Sequence, residues 1–210
     1  MTNLAGPALR GRSLARDWFR TVTAAEFAGF AVPAAVGALT ADAAPALAVG
    51  ALLAAGAIEG SLLGWGQATV LGRALTGLSR RRWIWATVAA AVLAYAVGLA
   101  PSTFASSVAS WPVWAVSAMS VVLGAALLAS IGTAQWLILR HHVARAGRWI
   151  VATALAWLAG LAVFLVFTMP LWQPGQALAL TVLIGLAGGL LMAATTSAVT
   201  GRALRRLLPE

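Results

Sequence analysis

Gly56-Ala-Ile-Glu-Gly-Ser-Leu-Leu-Gly-Trp-Gly-Gln67 places glycines at 56, 60 and 64, every fourth residue inside a long apolar run. On a helix this spacing leaves one face without side chains, so a second helix can approach to backbone contact. In lipid, apolar burial does not favour helix–helix over helix–lipid contact, and close packing is what holds helices together. The same stretch carries Glu59 and Gln67 deep in apolar sequence. It therefore reads as a membrane-spanning helix built to be packed against, with two polar groups to accommodate.

Five further apolar runs surround it. The six lie near 21–40, 46–72, 83–100, 113–139, 149–169 and 177–201, each long enough to cross about 30 Å of hydrocarbon at about 1.5 Å per residue. The 210-residue chain is 61% hydrophobic and 9% charged, with a mean hydropathy of +0.91, which indicates an integral membrane protein. It has no cysteine, so disulfides, thiolate metal sites and cysteine nucleophiles are excluded. The net charge of +9 comes from basic residues at the edges of apolar runs, not from a polar face, and this argues against a nucleic-acid partner. All fourteen basic residues are arginine, in keeping with an Ala-, Gly- and Val-rich composition.

The connecting segments alternate in charge. Those around 40–45, 101–112 and 169–175 carry no basic residue. Arg10, Arg12, Arg16 and Arg20 precede the first run, and Arg73 with Arg80, Arg81 and Arg82 follows the second. Arg140, His141, His142, Arg145 and Arg148 follow the fourth, and Arg202, Arg205 and Arg206 follow the sixth. This positive-inside pattern predicts both termini in the cytoplasm of a bacterial inner membrane. Met1 to Arg20 has no small-residue cleavage site before a polar domain, so the first run is expected to persist as a helix. Trp18, Trp83, Trp85 and Trp149 fall where an inner aromatic belt would lie, and Trp111, Trp114 and Trp172 where an outer one would lie.

An internal repeat orders these features. Trp18, Trp83 and Trp149 each stand near arginine at the start of an odd-numbered run, about 65 residues apart, and each precedes a hairpin ending in arginine. Gln67-Ala-Thr-Val-Leu-Gly-Arg73 aligns with Thr196-Ser-Ala-Val-Thr-Gly-Arg202, which places Gly185, Gly189 and Ala193 opposite Gly56, Gly60 and Gly64. Gln135 to Arg140 aligns with one deletion and brings Gly124, Leu128 and Gly132 into register. The expected fold is an all-α, single membrane domain over 1–210. It has six transmembrane helices arranged as three parallel hairpin repeats, near 16–80, 81–146 and 147–206. The even helices, with a glycine-zipper face, are expected at the centre. The odd helices, with Phe27, Phe30, Tyr95, Trp157 and Phe164, are expected outside.

Gly132-Thr-Ala-Gln-Trp-Leu-Ile-Leu-Arg140, followed by Arg145-Ala-Gly-Arg-Trp149 and Ala152-Thr-Ala-Leu-Ala-Trp157, resembles a Gly-x-x-Gln-Trp-x-x-Leu-Arg … Arg-Trp pattern of uncharacterised small bacterial multi-helix membrane proteins. The resemblance implies a fold and brings no substrate, reaction or cofactor. Mitochondrial-type carriers also use three hairpins, but their Pro-x-Asp/Glu-x-x-Lys/Arg signature is missing from the odd runs.

Few residues offer chemistry. Glu59 lies near the middle of its run, where an ionisable group is costly unless protonated, paired or wetted, and it is the leading functional candidate. Gln67 returns to the glycine face about 9 Å from the inner boundary, with Gln135 and Thr196 at matching depth. A polar ring there would floor a cytoplasm-facing cavity or constrict a pathway, or else glue the helices at about 0.6 kcal/mol per contact. Glu26, six residues after Arg20, is expected to be shallow and solvated or paired with an inner arginine. His141 and His142 lack a third ligand or a His-Glu-x-x-His setting, so no metal is expected. Ser61, Ser106 and Ser107 lack a triad context, so neither catalysis nor a cofactor is expected. Arg73, Arg140 and Arg202 are candidates for anionic lipid headgroups or phosphate. Two functions compete: a small-solute transport or channel component with a polar cavity, and a non-catalytic accessory protein that binds membrane-protein partners or anionic lipid through its small-residue faces.

Overall fold

The structure, a computed structural model, describes residues 11–208; Arg10 lies outside the described residues, as does the side chain of Arg12. It is helical, with no strand among the described residues. The elements are α1 (Gly11–Leu39), α2 (Pro45–Ala74), α3 (Arg80–Thr103), a single turn α4 (Ala105–Val108), α5 (Val113–Leu139), α6 (Arg148–Thr168) and α7 (Leu178–Leu207). The six long helices are each apolar and long enough to cross a membrane. A helix is the economical solution there, because it satisfies its own backbone where no water can. Ser61 and Thr69 follow the same rule: each donates its hydroxyl to the carbonyl four residues back, at 2.7 and 2.8 Å.

The boundaries match the apolar runs except at the arginine-rich ends. Helix α1 begins at Gly11, not near 21, because Leu14, Trp18, Val22 and Ala25 form a buried stripe that carries the arginine-bearing segment into the bundle. Helix α7 continues to Leu207 for the same reason, burying Leu204 and Leu207. Turns at 75–79 and 140–147 join the helices at that end, with Gly77 at φ +80° where a side chain would be strained.

The helices pack as a closed ring: α1 on α2, α2 on α3, α3 on α5, α5 on α6, α6 on α7, and α7 back on α1. Neighbours run antiparallel, so both ends of the described chain share one end of the bundle with the two arginine-bearing turns. The expected centre of even helices is not observed. The glycine face of α2 meets α3 instead. A Cβ at Gly60 would lie 2.7 Å from the Ala91 Cβ, and one at Gly64 would lie 3.1 Å from the Ile84 Cα. Gly132 of α5 likewise meets Ile150 and Thr153 of α6, and Gly189 of α7 meets Phe30 of α1. Each of these small-residue faces thus receives the next odd helix around the ring. Gly124 packs on nothing, and Gly185 makes only an ordinary contact with Trp172.

Candidate functional site

Two layers of polar side chains cross the interior. The first, toward the arginine-rich end, is built on Trp18, Trp83 and Trp149, all fully buried. Trp149 stands between the others, its ring centroid 5.8 Å from that of Trp18 at 87° and 6.4 Å from that of Trp83 at 56°. Each indole N–H, which can only donate, ends on a side-chain oxygen of the preceding helix of the ring. Trp83 donates to Gln67 Oε1 at 3.1 Å, Trp149 to Gln135 Oε1 at 2.9 Å, and Trp18 to Thr200 Oγ1 at 2.9 Å. Gln135 Nε2 then donates to Gln67 Oε1 at 2.6 Å and to Thr87 Oγ1 at 3.0 Å, and Thr87 donates to the Trp83 carbonyl.

These contacts overturn one expectation, the inner aromatic belt, and of the two readings of the glutamines they match interhelical glue. The three repeated tryptophans are core residues and not an aromatic belt, because each indole finds an acceptor inside; Trp85, Trp111, Trp114 and Trp172 do stay on the exterior. Gln67 and Gln135 do not line a cytoplasm-facing cavity. Their side-chain oxygens accept from the indoles, Gln135 Nε2 donates to Gln67 Oε1, and the two residues are 4% and 0% exposed. The layer is a solid plug. Its signal in the sequence was the fixed register of the tryptophans across the repeat, which a lipid-facing belt would not require.

The second layer lies halfway along the helices. Glu59, midway along α2, is 6% exposed and accepts a 2.6 Å hydrogen bond at Oε2 from the Tyr95 hydroxyl of α3. Its backbone presses on Gly29 of α1, where a Cβ would lie 3.2 Å from the Glu59 carbonyl oxygen. Glu26 is not shallow. Because α1 starts at Gly11, Glu26 falls mid-helix, 2% exposed, and both its carboxyl oxygens meet the Thr196 hydroxyl, at 2.7 and 2.8 Å. Thr196 therefore serves Glu26 and is not part of a ring with Gln67 and Gln135; Thr200, one turn on, takes its place beside Trp18. Neither carboxyl has a basic partner among the described residues. Tyr95 was missed from the sequence, although the sole tyrosine of the chain standing in mid-run signals a phenol that needs an acceptor.

Beside Glu59 lies a cavity of about 310 Å³, to which every long helix contributes. Its wall includes Phe30, Tyr95 and Trp157, with Leu63, Ile131 and Met192 toward the plug and Gly98 and Leu99 toward the opposite end. Phe30, Tyr95 and Trp157, expected on the lipid face, thus turn inward. Phe164 packs on Phe30 with centroids 5.7 Å apart. The lining side chains are apolar apart from Glu59, the Tyr95 hydroxyl and the indole N–H of Trp157.

The three arginines expected to hold anions each engage the protein. Arg73 Nη1 is 3.9 Å from Asp17 Oδ2, Arg140 lies 5.2 Å from the Trp136 ring centroid, and Arg202 donates to the Ala198 carbonyl at 3.2 Å. Arg148 and Arg206 instead flank a cleft of about 390 Å³ between α6 and α7, floored by Val151, Leu155 and Leu207. No family model, curated protein or solved structure matches the chain.

Proposed function

We propose that the protein receives a small, largely apolar solute in its midspan cavity, as the solute-binding component of a transport process. The observation that carries this reading is the cavity itself, lined from all six spans and of a size that suits a small ligand. The plug of tryptophans supports binding over free conduction, because it fills the axis on one side of the site. The rival reading, an accessory protein that offers its glycine grooves to partners, is less well supported. The grooves at Gly60, Gly64, Gly132 and Gly189 are already filled by the chain's own helices.

The arginine distribution supports placing both termini in the cytoplasm of a bacterial inner membrane. The cyclic use of Trp18, Trp83 and Trp149 supports descent from three hairpin copies. The cleft at Arg148 and Arg206 suits an anionic phospholipid, whose phosphate would meet the guanidinium groups while a chain follows Val151 and Leu155.

The cavity reading is tested with neopentylbenzene, an uncharged apolar probe, on the purified full chain in non-ionic detergent. The probe should raise the unfolding temperature of the wild type. Ala94→Phe and Leu161→Trp, which fill the cavity from two different helices, should abolish the rise. An equal rise in both variants would contradict the reading.

A further inference from the structure

Resting on the cavity reading, we propose that the solute is a lipophilic organic cation, an amine or quaternary ammonium carrying an apolar body, with Glu59 as its counter-ion.

Among the described residues, the cavity wall holds one acidic side chain and no basic one. Tyr95 engages only Oε2 of Glu59, which leaves Oε1 with no hydrogen-bond partner among the described residues. A carboxylate has room for about four hydrogen bonds, and a single phenol leaves most of that capacity unused: an amine's N–H can fill it, while a quaternary ammonium, which has no N–H, meets the carboxylate by charge alone. The arginines cannot supply the missing positive charge. They cluster at the far end of the bundle, and the one ion pair among the described residues joins Arg73 to Asp17 there. Gln67 and Gln135 lie between the arginines and the carboxyl, and their side-chain oxygens accept from the Trp83 and Trp149 indoles.

The remaining wall selects among ligands that could approach Glu59. Phe30, Tyr95 and Trp157 bring aromatic rings from three helices, and such rings attract cations at about 0.5–2 kcal/mol each when stacked on their faces. The rest is aliphatic, from Leu63, Leu127, Ile131 and Leu161, and suits an apolar body rather than a sugar or an amino acid with several polar groups to satisfy. An anion would find no positively charged side chain in the wall to hold it. A neutral apolar molecule would fill the volume but leave Glu59 with the Tyr95 hydroxyl as its one hydrogen-bond partner among the described residues. A lipophilic cation answers both the charge and the volume.

The experiment compares two probes of nearly identical shape, benzyltrimethylammonium and neopentylbenzene, by thermal stabilisation and titration of the purified full chain. The wild type should bind the cation more tightly than its neutral isostere. Glu59→Gln keeps the side chain's size and its contact with Tyr95 while removing the charge. It should weaken the cation about tenfold or more, equivalent to about 1.4 kcal/mol, and leave neopentylbenzene within about twofold. Tyr95→Phe, which keeps the ring and frees Oε2, should retain cation binding, and serves as the second variant should Glu59→Gln be poorly folded. Equal binding of the cation by wild type and Glu59→Gln would overturn the proposal, as would a wild type that prefers the neutral probe; in either case the cavity reading would survive. If neither probe binds, both readings fall together.

Discussion

At the arginine-rich end, three fully buried tryptophans find acceptors on Gln67, Gln135 and Thr200, and every one of those contacts is made within the chain. Half a membrane away, Glu59 has one phenol for a partner and a cavity beside it. The packing differs in the same sense. Helix α5 buries Ile131, Gly132, Gln135 and Leu139 near the plug and nothing before Ile131. Both regions place polar groups in apolar surroundings, where an unsatisfied group costs several kcal/mol. In the plug the three indoles and their acceptors satisfy one another, although the neighbouring Thr153 and Ser197 hydroxyls find no partner among the described residues; at the midspan Glu59 keeps one carboxyl oxygen unengaged beside a cavity, which is where a ligand has something to contribute.

The contrast can be broken most forcefully at Trp149. Trp149→Ala removes the ring that touches both Trp18 and Trp83 and orphans the Gln135 oxygen, so reversible unfolding in mixed micelles should show a loss of about 3–5 kcal/mol. Trp85→Ala, at a position 62% exposed, should be close to neutral in the same assay. Similar losses from both would mean that the buried triad is not special.

Helix packing gives the next largest effect. Gly60→Leu drives a side chain into Ala91 and Val88 of α3, and should cost about 1–3 kcal/mol by the same unfolding measurement. Gly124→Leu enters open space and should stay within about 0.5 kcal/mol. Gln135→Leu leaves the Trp149 indole without an acceptor and the Thr87 hydroxyl without its donor. It should cost about 1–2 kcal/mol, read as faster unfolding. The smallest effect is expected at the surface cleft. Replacing Arg148 and Arg206 by alanine should weaken retained phosphatidylglycerol, counted by native mass spectrometry, by about 1 kcal/mol per arginine, with no change in unfolding.

Hydrophobicity alone marked the six spans, and their boundaries failed only where amphipathic ends extend them, at Gly11–Arg20 and near Leu207. The glycine spacing announced close approach correctly at Gly60, Gly64 and Gly132, but not the partner. A bare helix face says that something comes near without saying which helix, and the ring gave that place to the following odd helix rather than to another even one. Glu59 stood out because a mid-run carboxyl is costly wherever it points. Glu26 reads as shallow only if its helix starts near 21 rather than at Gly11, and the significance of Tyr95 depends on a neighbour 36 residues away. Gln67 and Gln135 were recognised as a pair; their confinement by indoles was not, since a tryptophan near arginine at a helix start fits an interface and a core equally well until its N–H partner is known.

The division into a solid plug and a receptive cavity is tested most directly by a crystal structure of the protein under xenon pressure, because xenon enters apolar cavities and leaves packed regions empty. Xenon density is expected beside Leu127, Trp157 and Leu161, with none among Trp18, Trp83 and Trp149. Density among the three tryptophans, or none at the midspan, would contradict it.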